Sequence, residues 1–260
     1  MLDLHGTSSV VTGGASGLGE AAARLLTKAG ARVVIADLND DRGKQVATEI
    51  GGEFVHVDVT NTEEIQSAVD AAVSIGPLRT CVTAAGVGFA SRTIGKDGEY
   101  DSAHNLSAFS RVLAINLIGT FDTIRLAATK MSQTEPADDS GNRGAIATIA
   151  SIAAFDGQIG QASYSASKGG VVGMTLPIAR DLAVVGIRVN CIVPGLIDTP
   201  IYGSGPASEA FKDNLKRDVL FPKRLGTAEE LGSMILESLI NTYVNAEVIR
   251  VDGGARLQPK

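Results

Sequence analysis

The sequence predicts an α/β protein: one parallel β-sheet with helices on both faces, in a single domain over residues 1–260. Two observations carry this. Short runs rich in Val, Ile and Ala alternate with amphipathic helical stretches along the chain. Strands that are apolar throughout, rather than at every second residue, are those buried on both faces, as in parallel sheets. In addition, no linker or internal repeat divides the 260 residues, a length that one large α/β domain accommodates.

The elements follow in order. Ser8–Thr12 (SSVVT) is the first strand, and a Gly-rich turn leads from it into a helix, Leu18–Lys28, with Gly30 as stop signal. Arg32–Ala36 (RVVIA) is a β-branched strand ending at Asp37, and Asp40–Ile50 a second helix. Phe54–Val57 is a strand ending at Asp58, Glu63–Ser74 a helix, and Thr80–Thr83 a strand followed by Ala84-Ala85-Gly86. The alternation then repeats with a long helix, Phe109–Met131, and a buried strand, Ala145–Ala150. Ser163–Ala183 is a helix in which Pro177 is expected to make a kink. Ile187–Ile192, Ala228–Leu239 and Val248–Val251 complete the pattern as strand, helix and strand. Ser91–Leu106, Gln133–Arg143 and Ile201–Pro222 read as loops, the last expected to form a substrate lid.

Composition narrows the function. Hydrophobic residues at 44% and charged residues at 20% argue against disorder. A net charge of −6 without any basic run argues against a nucleic-acid surface. No apolar stretch approaches the roughly 20 residues of a membrane span. The first strand begins at Ser8, which leaves no room for a signal peptide. Cys81 and Cys191 lie in apolar runs and read as core thiols, so a reducing compartment, the cytoplasm, is expected. His5, His56 and His104 are scattered and no C-x-x-C or H-E-x-x-H occurs, so no metal site is expected.

Chemistry concentrates at three places. In Thr12-Gly13-Gly14-Ala15-Ser16-Gly17-Leu18-Gly19, glycines let the backbone turn tightly and approach a pyrophosphate, and the helix start offers free N–H groups. The spacing departs from G-x-G-x-x-G, so a purely structural turn is the alternative. Asp37 ends the second strand, 18 residues after Gly19. A carboxylate there accepts from both adenosine ribose hydroxyls and repels a 2′-phosphate, which favours NAD over NADP. Asp58–Val59 ends the third strand, where an adenine ring can rest. Finally, Tyr164 and Lys168 are four residues apart and share a helix face. An ammonium beside a phenol favours the phenolate, which can take the proton of an alcohol while hydride leaves. Ser151, at a strand's carboxyl end, can meet Tyr164 over the substrate oxygen, and the Asn116 amide can hold a water linking Lys168 to solvent or, as a helix-interior Asn, bond to backbone.

Together, Thr12-Gly-x-x-x-Gly-x-Gly19, Asp58–Val59, Asn116, Ser151, Tyr164-x-x-x-Lys168 and Pro194–Gly195 resemble the short-chain dehydrogenase/reductase family from about residue 5 to 257. The resemblance implies a Rossmann-type domain, a catalytic tetrad of Asn116, Ser151, Tyr164 and Lys168, NAD as cofactor, and a homotetramer. It assigns Gly13, Ser16, Gly17, Leu18, Gly19, Ala84 and Gly86 to the cofactor, with Lys168 on the nicotinamide ribose. Pro194, Gly195, Ile197 and Thr199 would cover the nicotinamide end. The stretches 153–161 and 173–182 are similar to the type II 3-hydroxyacyl-CoA dehydrogenase (type 10 17β-hydroxysteroid dehydrogenase) branch. That branch implies interconversion of L-3-hydroxyacyl-CoA and 3-oxoacyl-CoA, with Gln158 and Gln161 as substrate contacts or a turn-forming pair. A hydroxysteroid or other small alcohol, a carrier-bound 3-oxoacyl thioester, or a non-catalytic NAD-binding scaffold are the alternatives. Asp37 weighs against the carrier-bound thioester, whose reductases usually prefer NADPH, and the Tyr–Lys pair against the scaffold. One departure stands out: many relatives carry Asn-Asn-Ala-Gly where this chain has Thr83-Ala84-Ala85-Gly86. The Thr83 hydroxyl is expected to make part of the missing hydrogen bonding.

Overall fold

The computed structural model describes residues 1–200, 203 and 205–259. Seven strands form one sheet: β1 Ser8–Thr12, β2 Arg32–Asp37, β3 Glu53–His56, β4 Leu78–Thr83, β5 Gly144–Ile149, β6 Ile187–Pro194 and β7 Val248–Val251. Their order is β3-β2-β1-β4-β5-β6-β7, with every neighbouring pair parallel. Strands β1, β4, β5 and β6 are buried along their whole length, the environment their unbroken apolar runs demand.

Helices α1 (Gly17–Lys28), α2 (Asp40–Ile50) and α8 (Ala228–Ile240) cover one face, meeting Val11, Ile35, Val82 and Ile192 in a continuous core. Helices α3 (Thr62–Ile75), α5 (Gly119–Met131) and α6 (Ala162–Ala183) cover the other, against Val10, Cys81, Ile146 and Val189. Fully burying one such side chain contributes roughly 1.5–3 kcal/mol. Exposed ion pairs such as Lys44–Asp40 are screened by water and contribute little. The two cores, not the surface charges, therefore hold the layers together. Asparagine and threonine caps fix the helix starts: Asn39, Asn61 and Asn105 each accept a backbone N–H, and Thr227 with Glu230 closes a capping box on α8.

The structure departs from the sequence-based expectation in three places. α4 (Leu106–Leu113) runs into α5 through a π-helical turn, Ala114–Ile118, so the long helix starts earlier than Phe109 and is interrupted at Asn116. The Tyr100–Met131 stretch is apolar enough on average to cross a membrane, but half of its apolar window is packed inside the protein. α6 continues as one helix through Pro177, which lies on its exposed face, where water can serve the carbonyl that a proline nitrogen cannot. Part of the expected lid is regular structure, α7 (Pro206–Leu215), while Ile201, Tyr202 and Ser204 lie outside the described residues.

The chain moves outward from β1 to β2 and β3, then returns to place β4 on the other side of β1. At this switch point the connections after β1 and β4 lead to helices on opposite faces of the sheet, which opens a crevice at the strand ends.

Candidate active site

Two cavities run together along the strand ends. One, of about 720 Å³, lies over β1, β2 and β4; the other, of about 520 Å³, lies over β5 and β6. They share Leu18, Ala84, Gly86, Val87 and Thr199.

The larger cavity gathers Gly13, Ser16, Gly17, Gly19, Asp37, Asp58 and Val59. Gly13 is at φ +67°, and a Cβ there would lie 2.6 Å from the Ala85 nitrogen, so the loops after β1 and β4 touch backbone to backbone. A Cβ on Gly19 would lie 2.1 Å from the Gly13 carbonyl oxygen, which seats the start of α1 directly on the turn. The Asp37 carboxylate accepts the Ala15 N–H at 3.0 Å on one oxygen and the Asn39 N–H at 2.9 Å on the other. Asp58 accepts from the Thr60 N–H and hydroxyl, at 2.9 and 2.7 Å, and these bonds hold its carboxyl below the usual range. Arg111 and Thr60 line this cavity as well; sequence reading missed both, since neither belongs to a motif.

The smaller cavity gathers Ser151, Tyr164, Lys168, Pro194, Gly195 and Ile197, with Gln158 and Gln161. Ser151 follows β5, and its hydroxyl accepts the Ala153 N–H at 3.1 Å and hydrogen-bonds the Tyr164 side chain. Burial pushes the Tyr164 phenol up, and the Ser151 hydrogen bond pulls the other way. Lys168, one turn along α6, is buried, lies 6.0 Å from the Tyr164 ring centre and donates to the Ile149 carbonyl at 2.8 Å. Burial lowers its ammonium to about 8.

Asn116 lies behind this pair, and its amide is engaged by protein atoms. Its Oδ1 accepts the Val87 N–H at 2.8 Å, while its Nδ2 donates to the Val87 carbonyl at 3.0 Å and to Ser167 Oγ at 3.1 Å. The π-turn displaces Asn116 from regular helical register and lets its side chain clamp the strand exit. Ser167 in turn donates to the Tyr164 carbonyl at 2.7 Å, tying the clamp to α6. The expectation for Thr83 fails: its Oγ1 is buried and has no hydrogen-bond partner among the described residues. Thr80, on the same strand, does pair with Ser9 across the sheet, but at position 83 the short hydroxyl finds no acceptor within reach. Phe89, Phe211, Leu215 and Leu257 add an apolar wall that no motif announced. The histidines lie apart, His5 on Asp3, His56 on Asp40, and His104 between Phe89 and Phe109.

Residues 8–209 match the model of the short chain dehydrogenase family. The chain belongs to that family. It is 47% identical over 260 residues to the human protein named 3-hydroxyacyl-CoA dehydrogenase type-2, covering 98% of this chain and 97% of that one. It is also 47% identical to the Drosophila melanogaster protein of the same name, over 96% of this chain and 98% of the relative. A crystal structure of 3-hydroxyacyl-CoA dehydrogenase type-2 from Mycobacterium avium superposes with a TM-score of 0.93 at 42% identity, covering both chains fully. The protein is accordingly an oxidoreductase that works with a nicotinamide dinucleotide. Its residues fit such a group: the Gly13 cradle leaves no room for a side chain, and each Asp37 oxygen keeps a lone pair beyond its backbone donor.

Proposed function

We propose that the protein interconverts L-3-hydroxyacyl-CoA and 3-oxoacyl-CoA with NAD. The observation that carries this reading is the Ser151–Tyr164 hydroxyl pair beside buried Lys168, on the wall of a cavity continuous with the Asp37 pocket. The names of relatives at 47% identity support the thioester as substrate. Asp37 supports NAD, because a 2′-phosphate beside its carboxylate would be repelled.

Each residue has a role in this reading. Bound along the two cavities, the nicotinamide supplies the hydride acceptor or donor. Gly13, Ser16, Gly17, Leu18 and Gly19 present backbone to the pyrophosphate, and Asp58 with Val59 flanks the adenine. Ala84, Gly86, Pro194, Gly195, Ile197 and Thr199 shape the nicotinamide end. Tyr164 takes the alcohol proton as phenolate, or returns it to the forming alkoxide as phenol. Lys168, held by the Ile149 carbonyl, favours the phenolate and would hold the nicotinamide ribose. Ser151 hydrogen-bonds the substrate oxygen, and Asn116 fixes Val87 at the point where the cavities join. The α7 segment closes over the substrate, the protein works in the cytoplasm, and it assembles as a homotetramer. Exposed Ile118, Phe121 and Leu176 on neighbouring helices support the assembly.

The test is Tyr164→Phe. Turnover should fall at least a hundredfold, the lower end of what a positioned acid–base group supplies, while NADH binding, read by calorimetry, stays within a factor of about two. Turnover within twofold of the parent enzyme contradicts the role.

A further inference from the structure

The loop after β5 and the segment after β7 are laced together where they flank the substrate cavity. The Ile159 N–H donates to the Pro259 carbonyl at 3.0 Å, and Gln158 Nε2 donates to the Gln258 carbonyl at 3.0 Å. Arg250 joins the same two walls from below, donating to Asp156 and to the Ala255 carbonyl, each at 3.1 Å, with its guanidinium 5.3 Å from the Phe155 ring centre. Between these ties sits Leu257. It lines the cavity that holds Ser151 and Tyr164, and packs on the apolar cluster that includes Leu215 and Val219. Gln158, expected to read the substrate, gives an amide N–H to the clasp while still lining the cavity.

We infer that residues 255–259 form a clasped wall of the substrate cavity, and that Leu257 sets how long an apolar arm the substrate may carry. A side chain held from both sides by the clasp cannot swing away from a longer acyl chain, so cavity length is fixed where Leu257 ends. A difference of one or two methylenes in such a pocket is worth about tenfold in specificity or more. The chain-length part rests on the thioester reading above; the clasp does not.

The experiment measures kcat/KM with NADH for 3-oxoacyl-CoA substrates of increasing length in the parent enzyme, Leu257→Ala and Leu257→Trp. Leu257→Ala should raise the long-to-short ratio roughly tenfold, and Leu257→Trp should lower it by a similar factor. An unchanged ratio in both variants, with the parent active, overturns the assignment of Leu257. Hydrogen exchange at the Ile159 amide tests the clasp without turnover. That amide should be protected in the parent and exchange at least tenfold faster in Arg250→Met. Fast exchange already in the parent overturns the clasp, whereas a protected amide in a parent inactive on every thioester overturns the substrate reading alone.

Discussion

At the scale of single residues, the site works by setting burial against charge. Lys168 is a cation with its ammonium lowered to about 8 by desolvation, and an ordinary lysine titrates near 10.5. The unfolded chain therefore binds more protons than the folded one between about pH 8 and 10.5, and stability rises with pH across that window. Below about 8 the full penalty of the buried ammonium is present, on the order of 3 kcal/mol. Lys168→Met should accordingly abolish turnover yet raise the melting temperature at pH 7 by a few degrees, with the gain shrinking towards pH 10.5. A lower melting temperature at pH 7 would show that the bond to the Ile149 carbonyl outweighs the desolvation. Ser151, Tyr164, Lys168 and the Asp37 carboxylate were legible at this scale because each lies at a fixed distance from a glycine turn, a strand end or a partner one helical turn away. The partners of Asn116 were not, because its π-turn and the Ser167 contact, 51 residues away in sequence, are tertiary facts.

At the scale of elements, the turn between β1 and α1 sets the cofactor's position. Gly13→Ala asks an L-residue to hold φ +67° and places a methyl carbon 2.6 Å from the Ala85 nitrogen. It should weaken NADH binding more than tenfold, measured by fluorescence titration, and lower stability by about 1–2 kcal/mol or more. Binding within twofold of the parent would mean that the turn is not the cradle. The strands and most helices could be read along the chain because a doubly covered sheet leaves its strands unbroken apolar runs, and the helices keep their caps. α7 escaped because its residues are mostly polar and small and it follows Gly203 and Gly205, which look like loop. Pro206 at its first turn was the signal available. Thr83 was misjudged for a different reason: whether a hydroxyl finds a partner depends on reach, which sequence does not state.

At the scale of the whole molecule, one sheet with a single switch point brings residues from 13 to 257 to one crevice, so the cofactor pocket draws mainly on the first half of the chain and the substrate pocket mainly on the second. The exposed apolar residues on α5 and α6 predict assembly, and sedimentation should give four times the 26.8 kDa chain mass. A monomer at micromolar concentration would contradict this. The central claim, a thioester-reducing site selective for NAD, is tested most directly by the loss of reduced cofactor with acetoacetyl-CoA, run in parallel with NADH and NADPH. Rapid loss with NADH, at least a hundredfold faster than with NADPH, is the predicted result. Equal or faster loss with NADPH would contradict the role of Asp37, and no loss with either cofactor would contradict the acyl-CoA substrate.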